Sequence, residues 1–168
     1  MNNSINSLRL AVLLIFCLTG LLSTSASAEQ YDSLKGLKSV RTIFDFRDGK
    51  PGSALIHLKL VHDTFRDQAI QAVSDKPEMV VVFMDSSVLL LSSDRDKFSE
   101  VDRMRLEEFD QTLETMVKDG VRLEVCMFAA NLWGVRPESI PVDIDRVANG
   151  WIASLGYQQK GFALVPVF

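Results

Sequence analysis

The chain is poor in cysteine, in histidine and in clustered positive charge. Its 168 residues hold two cysteines and two histidines. Cys17 lies in the apolar opening segment, so the rest of the chain has Cys126 alone and no intramolecular disulfide framework can be built there. His57 and His62 are five apart, about 140° around a helix, so they do not face one metal ion as a four-residue pair would. They read as surface and boundary histidines, and no metal site is expected. No run of Lys or Arg occurs and the formal net charge is −4, which excludes the clustered phosphate neutralisation that a nucleic acid partner needs. Ser86 has no G-x-S-x-G setting and no histidine placed to activate it. Internal repeats, low-complexity tracts and long linkers are missing as well.

What is present begins with a leader. Arg9 is followed by the apolar run from Leu10 to Leu18 and then by small residues ending Ala26-Ser27-Ala28, the order of a secretory signal. The apolar stretch is interrupted at Thr19 and Gly20, too short for a stable membrane span. The expectation is therefore a signal peptide over 1–28, cleaved after Ala28 with loss of Cys17, and a protein in the periplasm with no lasting membrane anchor. The remainder, 29–168, is 168 less 28, or 140 residues, the size of one domain with one core. Losing Arg9 leaves 17 basic residues against 22 acidic, a formal charge of −5.

Hydrophobic patterning in that domain alternates between strand and helix. "SVRTIFDF", ending at Phe46, reads as a strand closed by the turn cluster "RDGKPG". Leu55, Leu58, Val61, Phe65 and Ala69 then share one face of a helix. "EMVVVFM", from Glu78 to Met84, is apolar throughout, as expected of a central strand covered on both faces. Ser99 and Asp102 resemble a capping box opening a helix through Val101, Phe109, Leu113, Met116 and Val117 that stops at Gly120. The strand "VRLEVCMF" follows. A helix is expected from Asp143, with Ile144, Val147, Ala148, Trp151, Ile152 and Leu155 on its core stripe. "FALVPVF" is a last strand, with Pro166 placing it at an edge or at the strand's end. This order predicts a three-layer α/β/α domain around a mostly parallel sheet of about five strands.

Sites in such sheets lie outside the carboxyl ends of the strands. Those ends carry Asp45, Arg47 and Asp48; Asp85, Ser86 and Ser87; and Cys126 with Asn131. Asp45 and Asp85 read as capping or ligand-orienting groups, and Trp133 as a cover for the thiol or a subunit contact. Cys126 is either a reactive thiol or a small apolar filler. If "MFAANLWG" turns directly into a helix, its unpaired N–H groups would face the sulfur and favour the thiolate.

The stretch "GVRLEVCMFAANLWGV" resembles the cysteine segment of the DsrE/DsrF family, including its sulfur-relay TusD-like members. The matching positions are Gly120, Val121, Cys126, Ala129, Ala130, Gly134 and Val135. The likeness extends to "GSALIHLKLVHDTF" and to "DRVANGWIASLGY". It implies a parallel α/β fold, assembly as trimers or hexamers, and Cys126 as a persulfide carrier or sulfurtransferase residue. It implies protein or small-molecule sulfur donors and acceptors, and no cofactor. "RDGKPG" departs from the Gly- and Tyr-containing loop of TusD-like members, and the leader points to a secreted branch. The alternative is a non-catalytic oligomeric binding or assembly module on the same fold. Expressed in a Gram-negative host, the periplasmic protein should begin at Glu29, as read by intact mass and N-terminal sequencing; a product retaining Met1 would contradict the cleavage.

Overall fold

The computed structural model describes residues 31–168, so the leader and its cleavage site lie outside the described residues. In chain order the elements are β1 (Arg41–Phe46), α1 (Pro51–Arg66), α2 (Gln68–Val73), β2 (Glu78–Phe83), α3 (Glu100–Lys118), β3 (Arg122–Cys126), α4 (Met127–Leu132), β4 (Asp145–Val147), α5 (Gly150–Gln159) and β5 (Ala163–Val167). A 3-10 stretch, Asp85–Leu91, follows β2. Among the described residues, no helix is long and apolar enough to cross a membrane.

The five strands form one sheet in the order β4-β3-β2-β1-β5, parallel at every pairing. From β1 to β4 the chain steps steadily in one direction, then jumps back to place β5 beside β1. Right-handed crossovers require the reversed step to cross the opposite face. Accordingly α1 and α3 pack together on one side, where Phe109 of α3 meets Phe46 and Phe83 with ring centroids 6.3 and 6.2 Å away. On the other side runs α5, over β1, β2 and β5. Residues of β2, apolar on both faces, form the centre of the core.

Local chemistry sets the boundaries. Ser99 Oγ accepts from Asp102 N at 3.1 Å to start α3, and Gly120 at φ +94° ends it. The helical pattern after Pro51 is broken once: Asp67 turns extended and its carboxylate accepts from Ala69 N at 2.7 Å, so one expected helix becomes α1 and α2. Val101 faces solvent and Leu106 takes the core position in its stead. His62 is buried rather than superficial, with Nε2 2.7 Å from Asp119 Oδ2, which ties α1 to the end of α3. Pro166 lies on an edge strand opposite Asp45, where a missing N–H costs nothing.

The helix expected from Asp143 is corrected. Asp145–Val147 pairs with β3 as a strand, Asn149 is extended, and α5 starts only at Gly150. Asn149 Oδ1 accepts from Trp151 N at 2.9 Å, fixing that start. Of the expected stripe, Ile144 is in the core but the part on α5 is not: Trp151 and Ile152 are each 68% exposed, and Leu155 is exposed too. What α5 buries instead are Gly150, Ser154 and part of Tyr157. The Tyr157 hydroxyl donates to Glu124 Oε1, a carboxylate buried under the helix.

Burial and the Glu124 contact raise the Tyr157 phenol above its ordinary value, so the folded state holds that proton more tightly than the unfolded chain. The stability this confers is complete below about pH 10 and is lost as pH rises through the raised value. Tyr157→Phe should destabilise the domain by about 1–3 kcal/mol, because it strips a buried carboxylate of its donor. In urea titrations at several pH values, the variant should also lose the steep alkaline part of the wild-type decline.

Candidate functional site

Strand register assembles the site. On the face under α5, Asp45, Val82 and Glu124 stand in one row across β1, β2 and β3. One pleat further along, the next row is Arg47, Met84 and Cys126, two positions on from each. Arg47 and Cys126 thus lie two strand spacings apart, about 10 Å between backbones, with Met84 between them.

Cys126 ends β3 and is at once the N-cap of α4. Its Sγ accepts from Ala129 N at 3.4 Å and from Gly150 N at 3.1 Å. The first donor belongs to α4 and the second to the first residue of α5, so two helix starts converge on one sulfur. The second contact depends on glycine. A Cβ at residue 150 would lie 2.4 Å from Met84 Sδ and 3.1 Å from Cys126 Cβ.

The sulfur forms part of the lining of a cleft of about 280 Å³. Arg47, Asp85 and Asn149 supply its polar groups, and Phe128, Trp133 and Trp151 much of its apolar wall. Cys126 is only 4% exposed, whereas Phe128, Leu132 and Trp151 stand largely in solvent around it. Arg47 is held from behind: Nε donates to both carboxylate oxygens of Asp45, at 2.9 and 3.0 Å, and Nη2 to Oδ2 at 2.9 Å. This hydrogen-bonded pairing, more than the nearby charges of Asp85 and Cys126, raises the guanidinium above its ordinary value. Nη1 has no partner among the described residues. Asp85, the non-glycine residue with positive φ, sits at +54° directly after Met84, with its carboxylate free of any hydrogen bond or ion pair among the described residues.

The other strand-end residues separate by role. Ser87 Oγ donates to the carbonyls of Phe46 and Met84 at 2.8 and 2.7 Å, and Ser86 Oγ to that of Arg47 at 3.4 Å. Both serines hold backbone together. Asp48 accepts from Lys50 N at 2.9 Å and lies 2.9 Å from His57 Nδ1, securing the start of α1. Asn131 is exposed and stands outside the cleft lining. His57 and His62 each pair with a different aspartate, and among the described residues no group of three His, Cys, Asp or Glu could hold a metal ion. Sequence reasoning gathered Arg47 and Asp85 only as strand-end residues; Asn149, Gly150 and Trp151 were missed as neighbours of the sulfur. Their signal was the Asn-Gly pair, which favours a turn or helix start over a helix interior.

No family model matches the chain. An uncharacterized protein of Aquifex aeolicus (strain VF5) is 25% identical over 128 residues, covering 76% of this chain and 56% of its own length. The chain thus spans little more than half of that curated relative. Two solved structures superpose on most of it. One is the protein of unknown function MTH1491 from Methanobacterium thermoautotrophicum, with TM-score 0.59, 18% identity, 76% of this chain and 99% of that one. The other is the ychN protein from E. coli, with TM-score 0.55, 11% identity, 77% of this chain and 99% of that one. The fold is DsrE-like. At these identities the likeness carries the five-strand parallel α/β architecture and no chemistry.

Proposed function

We propose that this chain carries sulfane sulfur on Cys126 as a persulfide, in the manner of a sulfur carrier or sulfurtransferase. The observation that carries the reading is the setting of Sγ: two backbone N–H donors and a fixed arginine around a sulfur lining a cleft. Sulfur exchange requires an anionic sulfur with hydrogen-bond donors and access, and no separate general base. In the loading step the Cys126 thiolate attacks the outer sulfur of a donor R–S–SH. The Sγ–S bond forms, the donor S–S bond breaks, and R–S⁻ leaves with the electron pair. Unloading runs the other way: an acceptor thiolate or sulfite takes the outer sulfur and Cys126 departs as thiolate. The periplasm is the proposed location, from the leader.

The slight exposure of Cys126 favours a second reading, in which the thiol is filler and the chain is a non-catalytic assembly module. The two differ in what reaches the sulfur. Purified protein exposed to polysulfide should gain the mass of sulfur, removable by a reducing thiol and absent in Cys126→Ser. No gain, with alkylation that requires denaturant, would leave the assembly module standing.

Assembly belongs to the same proposal. The exposed face of α5 places Trp151, Ile152 and Leu155 together, and Leu164 of β5 points to the same side of the sheet. A single helix covers this side, leaving an apolar surface continuous with the cleft rim at Trp151. Closed homo-oligomers, trimers or hexamers by the resemblance, would bury it. Light scattering at micromolar concentration should report an assembly, and Trp151→Glu should shift it toward monomer. A monomeric wild type would remove this part of the proposal.

A further inference from the structure

Loading Cys126 creates a new charge that the pairings around the thiol do not yet satisfy. The outer atom of Cys–S–S⁻ would lie about 2 Å beyond Sγ, and the cleft that Cys126 lines is the space that would take it. We propose that Arg47 is the catalytic residue that receives this terminal sulfur anion through Nη1, that Asp45 is its positioning residue, and that Asp85 opposes the same anion. The inference rests on the sulfur-carrier reading above and names its substrate class: a small anionic polysulfide, or the perthiolate formed from it.

Three observations support the assignment. Arg47 stands in the Cys126 row of the sheet, and both line one cleft. Its Nε and one N–H of Nη2 are committed to Asp45, which leaves Nη1 as the nitrogen with both donors to spare. The Asp45 carboxylate is buried and wholly engaged with this guanidinium, so the fork has one orientation rather than many. The raised guanidinium reflects the same pairing, with a smaller contribution from the Cys126 charge. Asp85 lines the cleft without a partner and adds a negative charge that an incoming dianion meets.

With trisulfide dianion as donor the step balances without an added oxidant. The Cys126 thiolate attacks a terminal sulfur, one S–S bond breaks, and disulfide dianion leaves with the electron pair. Three negative charges enter, and three leave as one perthiolate and one dianion. Cys126 sulfur is oxidised by one level, the transferred terminal sulfur keeps its level, and the former central sulfur of the donor is reduced by one level in the leaving disulfide dianion.

The experiment compares two rates at Cys126: sulfur uptake from inorganic polysulfide, by mass, and alkylation by neutral iodoacetamide. Their ratio cancels any general change in thiol reactivity. Arg47→Gln should lower the ratio about tenfold or more, with Arg47→Lys recovering part of it. Asp85→Asn should raise it about threefold. Asparagine tolerates the left-handed backbone at that position, so this variant keeps the fold even if Arg47→Gln does not. Unchanged ratios in both variants, with sulfur uptake intact in the wild type, would overturn the role of Arg47 and leave the carrier standing. A wild type that takes no sulfur would overturn the carrier itself, and the inference with it.

Discussion

The N–H of Gly150 reaches the sulfur of Cys126, and most of the site depends on that contact being possible. It requires residue 150 to lack a side chain, because a Cβ there would overlap Met84. It requires the chain to reverse after β4, because only a crossover in the opposite direction brings a helix to this face of the sheet. Asn149 completes the arrangement by capping the next donor, which holds α5 at this register. With the helix start fixed, Asn149 and Trp151 join the cleft wall and Tyr157 is carried down onto Glu124. Thus one close backbone approach links the thiol at one end of the helix to the buried carboxylate beneath it.

The parallel sheet was legible because its signals are periodic. Continuous apolar runs such as "EMVVVF" state that both faces are covered, and alternation with helical patterns states how the strands connect. Cys126 was legible as a strand end with a helix start behind it, since Met127–Leu132 does turn into a helix there. Periodicity failed at Asp143. Ile144, Val147, Ala148 and Trp151 match a helical stripe, yet Val147 pairs with Cys126 and Trp151 stands in solvent. A short edge strand leaves the same spacing as a helical turn, and nothing local separates them. Arg47 could be listed among strand-end residues, but its partnership with Asp45 is a consequence of register and side-chain direction, which only the folded sheet fixes.

The two faces of the sheet are covered unequally. On one, α1 and α3 pack together beside Phe46, Phe83 and Phe109, with Ile56 and Leu60 of α1 and Val101 and Met104 of α3 exposed among polar residues. On the other, α5 alone covers the strands, and its outward side is as apolar as its sequence stripe suggested. The stripe was correctly recognised as hydrophobic, and Ile144 does enter the core, but Trp151, Ile152 and Leu155 were wrongly assigned there. A stripe that faces water in one chain, beside a cleft whose rim is also aromatic, has the composition of the buried centre of an interface rather than of a free surface.

This geometry constrains what a carrier thiol here could exchange with. At 4% exposure, Cys126 offers little surface to a cysteine on a folded partner. A persulfide would add one bond, about 2 Å, and the cleft is the space that could take it, since Sγ already accepts from two backbone donors. On that reading the empty and loaded states would present different faces: a recessed thiol and a more advanced terminal sulfur. On the carrier reading, recession would limit over-oxidation of an empty thiol, which follows exposure, while a loaded sulfur would be the atom an acceptor meets first. The same recess that supports the filler reading of Cys126 is what a carrier would need between turnovers.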